Sequence, residues 1–187
     1  MHRLFALVTI TVLGVVSSAV EARQREEPFA AGGIAAVPLP DPPVVYGTAE
    51  GQAIRVSVVT DGLTYPWGFA FLPDGSVLVT ERLGALRVIR DGVLDPNPVS
   101  GVPEVYTGTA LAGLMDVGVH PDFSDNRWVY LTYSKPTDAG STVALARGRL
   151  DGQVLSEVRD LFVGEADGAA AGASRLLFAP DGTLFMT

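Results

Sequence analysis

One ten-residue phrase occurs twice in this chain and constrains its fold more than any other feature. Phe71-Leu72-Pro73-Asp74-Gly75-Ser76-Val77-Leu78-Val79-Thr80 returns as Phe178-Ala179-Pro180-Asp181-Gly182-Thr183-Leu184-Phe185-Met186-Thr187. In each copy a proline presets φ, a glycine supplies positive φ, and the apolar residues that follow suit a pleated surface, so each copy reads as an antiparallel hairpin. A looser copy lies between them: Val117-Gly118-Val119-His120-Pro121-Asp122-Phe123, followed by the strand-like Trp128-Val129-Tyr130-Leu131-Thr132-Tyr133. Pro73, Pro121 and Pro180 stand 48 and 59 residues apart, close to the ~40 to 50 residues of a four-stranded propeller blade. An immunoglobulin-like sandwich or an up-and-down barrel does not predict one hairpin recurring at that interval.

The intervening chain agrees. Ile54–Val59, Trp67–Leu72, Ser76–Glu81 and Ala85–Arg90 are short runs of Val, Ile, Phe and Leu bounded by Gly, Pro or Asp, and no amphipathic run of helical length competes with them. The expectation is an all-β chain, a β-propeller of which residues 51–187 supply about the first three blades. A ring needs at least about four, so the expected object is a truncated arc.

Ahead of the strands, Met1-His2-Arg3 gives a basic start, Leu4 to Val16 is nearly all apolar, and Ser17-Ser18-Ala19 or Val20-Glu21-Ala22 offers small residues for cleavage. Residues 1–22 are therefore expected to be a signal peptide, because the run is shorter than the about 18 to 20 apolar residues a membrane span requires. A secreted or periplasmic protein with no stable membrane insertion after cleavage follows. Residues 23–50, with Val37-Pro38-Leu39-Pro40-Asp41-Pro42-Pro43, read as a Pro/Ala-rich linker.

Composition removes whole classes of chemistry. The chain has no cysteine, which excludes disulfides, thiolate metal sites and thiol nucleophiles. A formal net charge of -8 repels phosphate backbones, so nucleic acid is not an expected partner. Of two histidines, His2 is expected to leave with the signal peptide, which would leave His120 alone. No phosphate loop, Gly-x-Ser-x-Gly elbow or Ser/His/Asp set is present.

The phrases Leu63-Thr64-Tyr65-Pro66-Trp67-Gly68-Phe69-Ala70-Phe71-Leu72-Pro73-Asp74-Gly75 and Leu78-Val79-Thr80-Glu81-Arg82 carry a family resemblance. It continues through Leu86–Gly92, His120–Phe123, Asn126–Ser134 and Ala144–Leu150. In this ordered set the chain resembles the soluble PQQ-dependent aldose (glucose/sorbosone) dehydrogenases. The resemblance implies a six-bladed propeller that holds pyrroloquinoline quinone (PQQ), with calcium, and oxidises an aldose sugar to a lactone. It also implies a general-base histidine in a His-x-Gly-x-Arg-Leu phrase and a glutamine in Gly-Gln-Gly-Gly-Leu-Leu-Asp.

At both places this chain departs. Ala171 opens the phrase Ala171-Gly172-Ala173-Ser174-Arg175-Leu176, and Leu111 stands in Ala110-Leu111-Ala112-Gly113-Leu114-Met115-Asp116. Alanine accepts no proton, and leucine replaces an amide that both donates and accepts. No catalytic residue is identifiable, Arg175 is the one candidate for a cofactor contact, and no metal ligand set is assigned. His120 reads as a turn cap rather than a base, and Asp116, His120 and Asp122 need not converge on a metal. Trp67, Trp128 and the tyrosines suit blade core better than a sugar platform. Glu81, Arg82 and Arg175 either reach the channel or form exposed ion pairs. Three functions follow: a sugar dehydrogenase with another base, a non-catalytic propeller binding a carbohydrate or protein, and a calcium-dependent lactonase whose carboxylates are not recognisable.

Overall fold

The computed structural model describes residues 42–165 and 172–187. The expected signal peptide, residues 23–41 of the expected linker, and Ala171 lie outside the described residues.

Strands β1 (Val44–Gly47) and β2 (Ala53–Val56) pair as an antiparallel hairpin. The linker expected to reach Glu50 therefore contains a strand; β1 follows Pro42-Pro43 and takes its pairing from β2. The first four-stranded sheet runs β3 (Pro66–Phe71), β4 (Val77–Glu81), β5 (Ala85–Arg90) and β6 (Val93–Leu94), each strand antiparallel to the one before. The second runs β7 (Leu114–Val119), β8 (Trp128–Thr137), β9 (Gly140–Asp151) and β10 (Val154–Val163). Between β7 and β8 lies one helical turn, α1 (Phe123–Asn126). A final hairpin, β11 (Leu176–Phe178) and β12 (Leu184–Met186), opens a third sheet. The all-β meander is thus two full blades and the first two strands of another.

The repeat is geometric as well as verbal. In the first copy Leu72 N–H donates to the Ser76 carbonyl at 2.8 Å and Asp74 Oδ1 accepts from Ser76 N–H at 2.9 Å. In the last, Ala179 N–H donates to Thr183 at 2.8 Å and Asp181 accepts from Thr183 N–H at 2.9 Å. Gly75 and Gly182 occupy φ of 85° and 84°, a region open to glycine because it has no Cβ.

Strand alternation decides which face of each blade is covered. Leu78, Leu86 and Val88 of the first sheet meet Leu114, Val117, Val129, Leu131 and Tyr133 of the second in one buried cluster. Each fully buried side chain of this kind contributes about 1.5–3 kcal/mol, so the seam between the sheets is the main source of stability. On the far face of the first sheet, Trp67, Phe69, Phe71, Val77, Val79 and Ile89 line an apolar concavity of about 460 Å³. Phe71 is 67% exposed there, whereas its repeat counterpart Phe178 packs on Tyr130 and His120 with ring centroids 5.2 and 5.5 Å away.

On the second sheet, Tyr133 Oη donates to Asp160 Oδ1 at 2.6 Å and Lys135 Nζ to Oδ2 at 2.5 Å. Burial pushes the Asp160 carboxyl up, but the bonds from Lys135 and Tyr133 outweigh it and hold the carboxyl below its ordinary value. Burial, then the bond to Asp160, pushes the Tyr133 phenol above its usual range. A depressed folded-state carboxyl stabilises the fold above the unfolded pKa of about 3.9 and loses that contribution as pH falls through its folded value. Asp160→Asn is therefore expected to lower stability at pH 7 and to narrow the gap from wild type as pH drops below about 4, read by urea melts across pH. A gap independent of pH would show that Asp160 acts by packing alone.

Candidate functional site

The two segments that carry the unusual residues are far apart in sequence and meet in space. Residues 109–112 lead into β7, and residues 172–175 lead into β11. A Cβ placed on Gly172 would lie 2.9 Å from the Leu111 Cβ, so the glycine is what lets the two segments touch. Leu111 is 61% exposed, and its side chain lies along Gly172. Arg175 stands beside it, its side chain 68% exposed, with Nη1 donating to Asp116 Oδ1 at 3.2 Å.

Asp116 is the anchor. It is 4% exposed on β7, and its second oxygen accepts the Leu176 N–H at 2.7 Å, while its own N–H donates to Thr132 Oγ1 at 3.0 Å. A buried carboxylate is tolerated because both oxygens are paired. Blade one presses on it closely: a Cβ on Gly68 would lie 2.5 Å from Asp116 Oδ1. Thr80 Oγ1 accepts from Gly68 N–H at 2.9 Å and also bonds the Met115 carbonyl, tying β3 and β4 to β7.

Glu81 and Arg82 are both buried and do not pair with each other, which removes the exposed ion-pair alternative for them. Glu81 accepts from Thr64 N–H at 2.5 Å and faces Arg87 at 3.4 Å. Arg82, 6% exposed, turns toward the junction, where Nη1 donates to the carbonyls of Thr109 at 3.3 Å and Ala112 at 3.2 Å. Arg175 keeps its exposed ion pair, with Asp116 as the buried partner.

The other sequence candidates lie elsewhere. His120 follows β7 at the end opposite Leu111; its Nδ1 accepts from Asp122 N–H at 3.0 Å and lies 2.8 Å from Asn126 Nδ2. Accepting from a backbone amide fixes the proton of the neutral ring on Nε2 and makes the residue a turn cap. Asp116 is committed to Arg175 and Leu176, so it does not join His120 and Asp122, and among the described residues no group of three or more His, Asp or Glu is arranged to hold a metal. Trp67 lines the apolar concavity, and Trp128 lies under the Arg147 guanidinium at 3.9 Å. The sequence reading missed the roles of Asp116 and Arg82. The signal for Asp116 was present: a lone carboxylate inside the apolar run Leu114-Met115-Asp116-Val117 needs a partner.

Comparison with known proteins places this geometry. The chain is 42% identical over 148 residues to the uncharacterized protein slr1608 of Synechocystis, covering 74% of this chain and 36% of that protein. It is 41% identical over 114 residues to aldose sugar dehydrogenase YliI of Escherichia coli, covering 60% of this chain and 30% of that protein. A glucose dehydrogenase crystal structure superposes with a TM-score of 0.62 at 34% identity, covering 68% of this chain and 39% of the other. The chain thus spans about a third of the length of the curated relatives it matches. The glucose/sorbosone dehydrogenase profile matches residues 63–187, a stretch holding both blades and every residue of the junction, and the chain belongs to that family.

Proposed function

We propose that this chain forms the first blades of an exported, PQQ-dependent sugar-oxidising propeller, and that residues 109–112 and 172–175 make one edge of its ligand mouth. The observation that carries this reading is the junction: the two segments holding the family's glutamine and histidine phrases meet at Leu111 and Gly172, flanked by Arg175. Residues 1–22 would direct export and the linker would lead to the blades. Among the described residues no helix is long and apolar enough to cross a membrane.

PQQ is a planar tricarboxylate, and the residues present fit one side of it. Arg175 has guanidinium N–H groups beyond the one on Asp116 and would hold a carboxylate; Leu111 offers an apolar contact to the ring. Bound PQQ would supply the two-electron acceptor for a sugar hydroxyl carbon. This chain's own contribution is positioning, because Leu111 neither donates nor accepts a proton and the alanine side chain of Ala171 has no acceptor. Calcium finds no ligand cluster among the described residues.

The same two residues favour a second reading, a non-catalytic propeller that binds a carbohydrate or protein. Loading with PQQ and calcium, followed by dye reduction with a panel of aldoses, separates the two. Turnover by the wild-type protein supports the dehydrogenase. A saturated PQQ site with no turnover, and activity that appears only in Leu111→Gln/Ala171→His, supports the second reading. Absence of PQQ binding in both proteins defeats the first.

A further inference from the structure

Arg82 is a cation buried at the end of β4, and the apolar core does not require one there. Burying a guanidinium is costly unless its donors are used. Its Nη1 donors go to the carbonyls of Thr109 and Ala112, at 3.3 and 3.2 Å, the residues that bracket Ala110 and Leu111. The Arg82 backbone carbonyl accepts the Leu114 N–H at 2.9 Å, immediately beyond the same segment. One residue of blade one therefore holds the mouth segment of blade two at three points.

Tyr65 holds the guanidinium in turn. Its ring lies with its centroid 5.1 Å from Arg82 Cζ, and its carbonyl accepts the Arg82 N–H at 3.0 Å. Tyr65 adopts a φ of 50° ahead of Pro66, a left-handed conformation that is costly for a non-glycine residue and persists where the surroundings over-determine it. Here the ring contact and the backbone bond to Arg82 do so, and residues held this way cluster at ligand sites.

We propose that Arg82 is the positioning residue of the mouth: its guanidinium, locked by Tyr65, fixes the segment from Thr109 to Ala112 and so sets where Leu111 stands against Gly172. This rests on the reading of the junction as a ligand mouth, and it is tested without relying on turnover. Lysine is not an equivalent, because its ammonium ends one bond short of Nη1, the single atom that reaches both carbonyls, and has no guanidinium plane to lie over the Tyr65 ring.

The test is residue-resolved hydrogen exchange on wild type, Arg82→Lys, Arg82→Met and Tyr65→Leu, with PQQ affinity followed by tryptophan fluorescence. The readout amides are Ala112, bonded to Thr109 Oγ1 at 3.2 Å, and Gly113, bonded to Ser134 Oγ at 3.1 Å. In Arg82→Met these two should exchange about tenfold faster or more while β8 and β9 keep wild-type protection. Arg82→Lys should fall between, and Tyr65→Leu should follow the same local pattern. Unchanged exchange at Ala112 and Gly113 overturns the proposal, as does a uniform rise across β8 and β9, which would make Arg82 a general stabiliser. Failure of the wild-type protein to bind PQQ would count against the proposed function, whereas the exchange pattern decides the role of Arg82.

Discussion

Gly113→Ala should lower the stability of the chain by about 2–4 kcal/mol, the sum of an overpacked seam and one or two lost hydrogen bonds. A Cβ at this position would overlap the Arg82 carbonyl oxygen and Cγ. The oxygen belongs to backbone that also accepts the Leu114 N–H at 2.9 Å, so relief requires β4 and β7 to part. Parting them also strains the Gly113 N–H bond to Ser134 Oγ and the Ser134 N–H bond to the Gly113 carbonyl. Gly75→Ala is the matched control. Nothing lies within 4 Å of its added Cβ, and its cost comes only from a φ of 85°, about 1 kcal/mol. Urea melts of the two variants should therefore separate clearly. Equal losses would show that the seam between the blades has slack that the packing does not suggest.

That seam shows where sequence reasoning reached and where it stopped. The repeated Pro-Asp-Gly phrase announced hairpins because its residues act locally: the proline, the aspartate side chain and the positive-φ glycine all work within one turn, and both copies take the same hydrogen bonds. Leu111 and Arg175 entered as site candidates only through the family phrases around them, since neither residue type announces a site. His120 was legible as a turn cap because its partner Asp122 is two residues away. By contrast, Arg82 and Asp116 bond across 30 and 60 residues of sequence. A Glu-Arg pair at a strand end looks alike whether it meets solvent or a neighbouring blade, and only the arrangement of the blades decides. The strand β1 was missed for a related reason: its four residues pair only with β2, and composition next to a proline run favoured a linker.

Asp116 is where the largest effect on the junction is expected. Its carboxylate joins blade two to the third-blade hairpin through two bonds of unequal worth. The bond to Arg175 involves a largely exposed guanidinium, so solvent screens it and Arg175→Ala should change stability by less than about 1 kcal/mol. The bond from Leu176 N–H is short, at 2.7 Å, and partly buried; an amide bonded to a charged acceptor contributes about 1.5–3 kcal/mol, and losing its partner adds a desolvation penalty. Asp116→Ala should therefore cost about 3 kcal/mol or more, and hydrogen exchange in β11 and β12 should rise more than in β8 and β9. Asp116→Asn is the informative intermediate. Its amide oxygen can still accept the Leu176 N–H while the charge facing Arg175 is gone, so it should retain most of the hairpin's protection. If Asp116→Asn frees the hairpin as fully as Asp116→Ala, the ion pair with Arg175 carries the junction despite its exposure. If neither frees it, the packing of Leu176 on Gly118 and of Phe178 on Tyr130 is enough to hold the third blade in place, and the carboxylate serves mainly to orient Arg175.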